Sequence, residues 1–347
     1  MEAALSQGSV PHEPFFILGA PRSGTSLLSR MLDSHPAIAV PDETKIFETF
    51  VPLLALYGDL RQPARLRRLA SDVLAWRWVC RLPDLPSVES VLERVERPTL
   101  GGVFAALLSL WAQGQGKSRW GEKTPNHLHF WPFIEASFPN ARVVHIVRDG
   151  RDVALSQVEA PFGPKTIATA AERWVKFVER IRAIGSRIGT GRYVEVRYED
   201  LLARPRETIT QVLQLVGETY DPAVLQYHVG ATAAGTDAVN DANIRQPLLV
   251  GNAGKWQQGL SRRELLVFEA IGGKTLEECG YERVTNVEPM RGLERAYYRY
   301  LQHLPIKIFS MARNRAGIAE GLERERIRWR LIAGQLVARR PATRAAH

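Results

Sequence analysis

The chain reads as an α/β protein, a three-layer sandwich with a central parallel sheet, and three observations lead there. The segment FFILGAPRSGTSLL, Phe15 to Leu28, passes from an apolar strand through a glycine-flanked loop into the start of a helix. VVHIV, Val143 to Val147, reads as a second buried strand of apolar and β-branched residues. Helix candidates at Glu172 to Ile184 and Arg206 to Val216 flank the alternating strand YVEVRY, Tyr193 to Tyr198. Alternation of strand and helix is the order that builds a parallel sheet.

The first loop is an anion site. Successive N–H groups at a turn and at a helix N-terminus converge on one concavity and carry the positive end of the helix dipole. The spacing Gly19-x-x-x-x-Gly24-Thr25-Ser26 nearly matches the nucleotide-kinase pattern G-x-x-x-x-G-K-[ST], with Thr25 at the lysine position. That lysine normally bridges the β- and γ-phosphates, so the loop suits a triphosphate badly. Arg22 supplies a cation instead, and its planar fork fits a terminal sulfonate or phosphate. With Ser23, Gly24, Thr25 and Ser26 it makes up the candidate donor cradle.

The stretch APRSGTSLLSRMLDSHP resembles the phosphosulfate-binding loop of sulfotransferases, which use 3′-phosphoadenosine-5′-phosphosulfate (PAPS) as donor. The resemblance implies the P-loop nucleotide-binding fold of that family. It also implies that an arginine ending the second strand and a serine eight residues later hold the donor's 3′-phosphate; Arg148 and Ser156 stand at that spacing. The run Arg148-Asp149-Gly150-Arg151-Asp152 reads as well as a helix cap, with Arg148 and Asp149 as an ion pair.

Three further stretches resemble the tyrosylprotein sulfotransferase branch and its bacterial relatives. In PDETK, Pro41 to Lys45, the branch's catalytic base falls on Glu43; in GEKTPN, Gly121 to Asn126, its lysine beside the transferring group falls on Lys123. GNAGKW, Gly251 to Trp256, matches the segment that closes over the donor, giving Gly254, Lys255 and Trp256 as donor contacts. The tyrosylprotein enzymes carry a catalytic serine where this chain has Gly254, a departure that bears on the tyrosine-peptide substrate and not on the donor. Tyr198 falls where the family places a tyrosine near the adenosine, and it reads equally as a core tyrosine. The matching motifs run from about Phe15 to Tyr281.

Sulfuryl transfer resembles phosphoryl transfer: the group moves in line between two oxygens, and positioning and charge stabilisation do most of the work. The expected roles follow. Glu43 accepts the proton of the acceptor hydroxyl, Arg22 and the loop N–H groups hold the 5′-phosphosulfate, and Lys123 steadies the bridging oxygen. With no helix-spaced histidine pair and no cysteine cluster, no metal is expected. Glu48 reads as a solvated carboxylate near Glu43, and His35 as a histidine complementing a helix C-terminus rather than a base. The runner-up function is a P-loop kinase with a diverged loop, which would need Mg²⁺ and a nucleoside triphosphate. A binding protein that lost catalysis is set against by the presence of Arg22, Glu43 and Lys123. The acceptor is a hydroxyl of a sugar, lipid, small alcohol or tyrosine.

At 347 residues the chain accommodates one large α/β domain with additions: a tail over 1–14, the domain over 15–285 with a helical insert at 50–120, and an extension over 286–347. The insert, rich in Leu, Ala and Arg, reads either as a cap on the acceptor site or as a helical layer on the sheet. Cys80 and Cys279 cannot form a disulfide framework and are expected as buried small residues in a reduced compartment. MEAALSQGSVPHEPFF lacks a signal-peptide pattern, so a cytoplasmic location is expected. The extension carries 13 Lys and Arg against 5 Glu, which is +8 of the chain's formal +9. The basic character therefore belongs to the extension and argues against a nucleic-acid face on the domain. RGLERAYYR, Arg291 to Arg299, and a helix candidate at Leu322 to Arg340 leave room for peripheral membrane contact or a homodimer, beside the plainer reading of a solvated helix.

Overall fold

The computed structural model describes residues 13–160, 163–229, 246–298 and 314–338, together with 300, 304 and 306. Its sheet has five strands: β1 (Phe15–Leu18), β2 (Ile38–Ala39), β3 (Arg119–Glu122), β4 (Arg142–Val147) and β5 (Tyr193–Arg197). They lie in the order β2-β3-β1-β4-β5 and every pairing is parallel. β1 is central because its four residues are apolar and buried on both faces. Phe15 and Ile17 point with Val144 and Ile146 into one core, Phe16 and Leu18 with Val143 and Val147 into the other.

Each core has its own helices. Leu28, Met31 and Leu32 of the helix Thr25–Asp33, with Ile209, Val212 and Leu213 of Pro205–Val216, cover one face. The other is covered by Leu100–Gly114, Ile167–Ile188 and Arg262–Glu278, through Phe104, Trp174 and Phe268. The result is the expected three-layer sandwich, with β1, β4 and β5 where the sequence places them. β2 and β3 have no readable signal: β2 spans two residues, and RWGE holds no β-branched side chain.

The insert begins earlier and ends earlier than the sequence suggests, because Ile46–Phe50 is already helical and β3 opens at Arg119. Its Phe50, Val73, Trp76 and Val103 join the main core, as a layer on the sheet does. The C-terminal helix Arg315–Ala338 packs on it. Ile327 and Leu331 are buried, Gln335 donates to the Leu56 carbonyl at 2.8 Å, and Glu320 accepts from Lys45 at 2.9 Å. Among the described residues no helix is long and apolar enough to cross a membrane.

Two smaller expectations change. Cys279 is buried and its thiol is pushed up to about 12, chiefly by desolvation, but Cys80 is exposed. Cys80 follows Trp76 in a turn whose apolar side is taken by Trp76 and Val79, which leaves the thiol outside. Glu48 is half-buried rather than solvated, and burial raises its carboxyl pKa despite Lys45 and Asn126 nearby.

Candidate active site

In a parallel sheet the loops that follow the strands gather at one edge, and three of the motifs are such loops. Gly19 to Gly24 follows β1, Lys123 follows β3, and Arg148 follows β4. Arg22, Gly24, Thr25, Ser26, Glu43, Arg148, Ser156, Tyr198 and Lys255 all line one cleft of about 270 Å³.

Gly24 caps the helix Thr25–Asp33 in the left-handed region, at φ +95°, and no side chain caps the helix N-terminus. A Cβ there would lie 2.4 Å from Cδ2 of Tyr198, so the glycine is needed for conformation and for space. The first helical N–H groups therefore face the cleft. Arg22 also has positive φ, 79°, a strained conformation that places its Nε 2.9 Å from Ser156 Oγ. Arg148 is 7 % exposed; it donates to the Arg22 carbonyl at 3.3 Å and lies 4.5 Å from the Tyr198 ring centroid. Tyr198 is buried, which raises its phenol pKa, and its hydroxyl accepts from Asn252 Nδ2 at 2.7 Å. It belongs to the site as well as to the core.

Two buried carboxylates organise this geometry. Asp152, 2 % exposed, accepts from Arg148 at 3.2 Å, from the Gly254 N–H at 2.8 Å and from the Trp256 N–H at 2.8 Å. One side chain thus joins the end of β4 to the segment 252–256. Arg148 also donates to the Asn252 carbonyl at 2.6 Å. Glu122, 1 % exposed, accepts from Thr44 at 3.0 Å, from Thr124 at 2.5 Å and from His127 at 2.8 Å. Thr44 adjoins Glu43 and Thr124 adjoins Lys123. Desolvation alone would raise the Glu122 pKa, but His127 and the two hydroxyls outweigh it and hold the carboxyl below its ordinary value. On the loops so fixed, Lys123 Nζ lies 3.1 Å from Glu43 Oε1 and 3.3 Å from Ser26 Oγ. Lys123 is 4 % exposed, so it is no wet surface lysine.

Residues 14–222 match a model of the sulfotransferase family. The chain belongs to the sulfotransferase family. A chicken protein-tyrosine sulfotransferase 2 is 24 % identical over 61 % of this chain and 53 % of its own length. The nodulation protein NoeE of Sinorhizobium fredii is 26 % identical over 77 % of this chain and 66 % of its own. An uncharacterised Aquifex aeolicus protein is 25 % identical over 74 % of this chain and 32 % of its own. The chain thus spans between a third and two thirds of the length of these relatives. In structure it is similar to the sulfotransferase domain of the Synechococcus olefin synthase, with TM-score 0.57 and 24 % identity over 81 % of this chain and 99 % of that one. The domain from the curacin biosynthetic pathway gives 0.53 and 19 % over 79 % and 99 %. Both support the fold. The family match supports sulfuryl transfer over the kinase alternative.

The remaining sequence-predicted residues fall around this cleft in different ways. Ser23 is fully buried beneath the loop and contributes its turn, its N–H donating to the Ala20 carbonyl at 3.0 Å. Gly254 and Trp256 do not line the cleft; they are held behind it by Asp152, and Arg151 stacks 3.7 Å from the Trp256 ring centroid. Gly254 has φ +73°, a left-handed conformation that disfavours the serine of the tyrosylprotein enzymes. Arg148 does not pair with Asp149, which instead caps the next helix through the Arg151 N–H at 2.9 Å and pairs with the Arg151 guanidinium. His35 Nδ1 accepts from the Ala37 N–H at 3.1 Å, so Nε2 carries the proton and donates to the Thr219 carbonyl at 2.9 Å. Both nitrogens are used, and His35 stays outside the cleft. No residue of 50–118 lines the cleft either. Sequence reasoning missed Asp152, Asn252 and Glu122. Asp152 and Glu122 sit inside quoted motifs, and their only signal is a carboxylate next to an arginine or lysine, which is common on wet surfaces.

Proposed function

We propose that this sulfotransferase takes the sulfuryl group from PAPS and transfers it to an acceptor hydroxyl, with Glu43 as general base. The observation that carries the reading is Lys123 Nζ within hydrogen-bond reach of both Glu43 and Ser26, so that base, cation and uncapped helix N-terminus meet at one point. The donor fits the residues on chemical grounds. Arg148 lines the cleft and its Nε is a buried polar atom with no hydrogen-bond partner, and an aromatic face at Tyr198 adjoins its guanidinium, as a phosphorylated adenosine requires. PAPS, when bound, supplies an activated sulfuryl group on a phosphate leaving group.

The chain's own residues then have these tasks. Arg22 and the N–H groups of Gly24, Thr25 and Ser26 hold the 5′ end, and Arg148 and Ser156 hold the 3′-phosphate. Lys255 adds a cation at the cleft rim. Glu43 receives the acceptor's proton at a carboxylate oxygen, and Lys123 stabilises negative charge developing on the leaving oxygen. No role calls for a metal. The acceptor class is open among sugar, lipid, small alcohol and tyrosine hydroxyls, and the left-handed Gly254 sets the chain apart from enzymes that use a serine there.

The test is release of adenosine 3′,5′-bisphosphate from PAPS, metal-free, over a panel of hydroxyl acceptors. Acceptor-dependent release that disappears in Glu43→Gln is expected. A wild-type protein that never consumes PAPS, or a Glu43→Gln variant as fast as wild type, contradicts the proposal.

A further inference from the structure

We propose that the outward face of the C-terminal helix Arg315–Ala338 docks on the anionic surface of a membrane. The helix has two faces of different character. Its inner face buries Ile327 and Leu331 against the insert and ties Glu320 to Lys45, with a second contact from Trp78 Nε1 to Glu320 at 3.1 Å. A surface helix of a closed domain would turn polar residues outward. This one does not. Ile318, Leu322 and Trp329 recur at helical spacing on the outer side and are 47 %, 58 % and 65 % exposed. Half-buried Ile332 and exposed Ala333 extend the same stripe.

The flanks of the stripe are basic. Arg326 and Arg328 are exposed on either side of it, and Glu325, the one acid within it, pairs with Arg328 at 3.5 Å. The wider extension carries 13 Lys and Arg against 5 Glu, and the sequence after the helix adds Arg339, Arg340 and Arg344. Charge selects the occupant. A second copy would bring the same basic flanks face to face, whereas an anionic lipid surface attracts them. The apolar stripe with an exposed tryptophan fits the boundary between headgroups and acyl chains, where an aromatic ring with a polar N–H is favoured. The helix carries too many charges to span a bilayer, so it lies in the plane of the interface.

The test uses the full chain and co-sedimentation with vesicles of phosphatidylcholine alone or mixed with phosphatidylserine. Wild type is expected to sediment with the mixed vesicles only, and to be released as ionic strength rises. Arg326→Ala is expected to weaken binding about five-fold, and the pair Leu322→Ala and Trp329→Ala more, with thermal melting unchanged since these side chains are exposed. Absence of wild-type binding to mixed vesicles, or full binding by the double variant, overturns the proposal. So does light scattering that shows a wild-type dimer converted to monomer by the double variant, since the face would then belong to a second copy.

Discussion

Asp152 and Glu122 are both buried carboxylates with three donors each, yet they serve different halves of the cleft. Asp152 binds one guanidinium and two backbone N–H groups, so it joins a helix to a distant segment and fixes where the donor's 3′ end would rest. Glu122 binds two hydroxyls and an imidazole, so it fixes the two loops that carry Glu43 and Lys123. On the proposed roles, donor binding and group transfer have separate anchors. A buried carboxylate with all its bonds made is rigid, and removing one partner leaves the others uncompensated. Damage to one half should therefore leave the other readable.

The largest effect is expected at the reacting groups. Glu43→Gln should lower kcat by about 10²- to 10⁴-fold, while affinity for adenosine 3′,5′-bisphosphate stays unchanged; steady-state kinetics beside calorimetry reads both. Next comes Glu122→Gln, which should cost about 3 kcal/mol of stability at neutral pH and reduce kcat with little change in nucleotide affinity. The Glu122 carboxyl is held below its ordinary value of 4.5 in the folded protein, so its stabilisation is complete above that value and fades as pH falls below it. Chemical denaturation across that range should show wild type losing more stability than Glu122→Gln.

Asp152→Asn is expected to act in the opposite half, weakening nucleotide affinity about ten-fold through loss of charge-assisted bonds, with a smaller effect on kcat at saturating donor. If it lowers kcat and leaves affinity alone, the two anchors do not divide the work as described. The smallest effect concerns neither half: Cys80 should react with a maleimide in the native state without loss of activity, and Cys279 only after unfolding. Mass spectrometry of the labelled chain separates them.

The loop after β1 was legible as one wall of the cleft because an anion cradle imposes a local requirement. Phosphate needs consecutive N–H groups and a close backbone, and that requirement appears as Gly24 and an apolar strand within one short window. The apolar strands β1 and β4, the alternating β5 and both helical layers were legible for the same reason, since burial period and composition are local. β2 and β3 were not, because a two-residue strand and a strand reading RWGE are stabilised by their neighbours, not by their own propensity. The Glu122 cluster was hidden likewise. Thr44 and Glu122 are far apart in the sequence, and the bond between them exists only once β3 is in place. Gly254 and Trp256 were recognisable as a motif, but their work is done through backbone N–H groups, which side-chain identity does not reveal.

The most direct test of this division is calorimetric titration with adenosine 3′,5′-bisphosphate, metal-free, of wild type, Arg148→Ala and Glu43→Gln, with ATP and Mg²⁺ as the control ligand. Wild type and Glu43→Gln should bind equally, Arg148→Ala should lose binding, and ATP with Mg²⁺ should give no comparable response. Unchanged binding in Arg148→Ala, or a wild type that binds only ATP with Mg²⁺, would contradict that division.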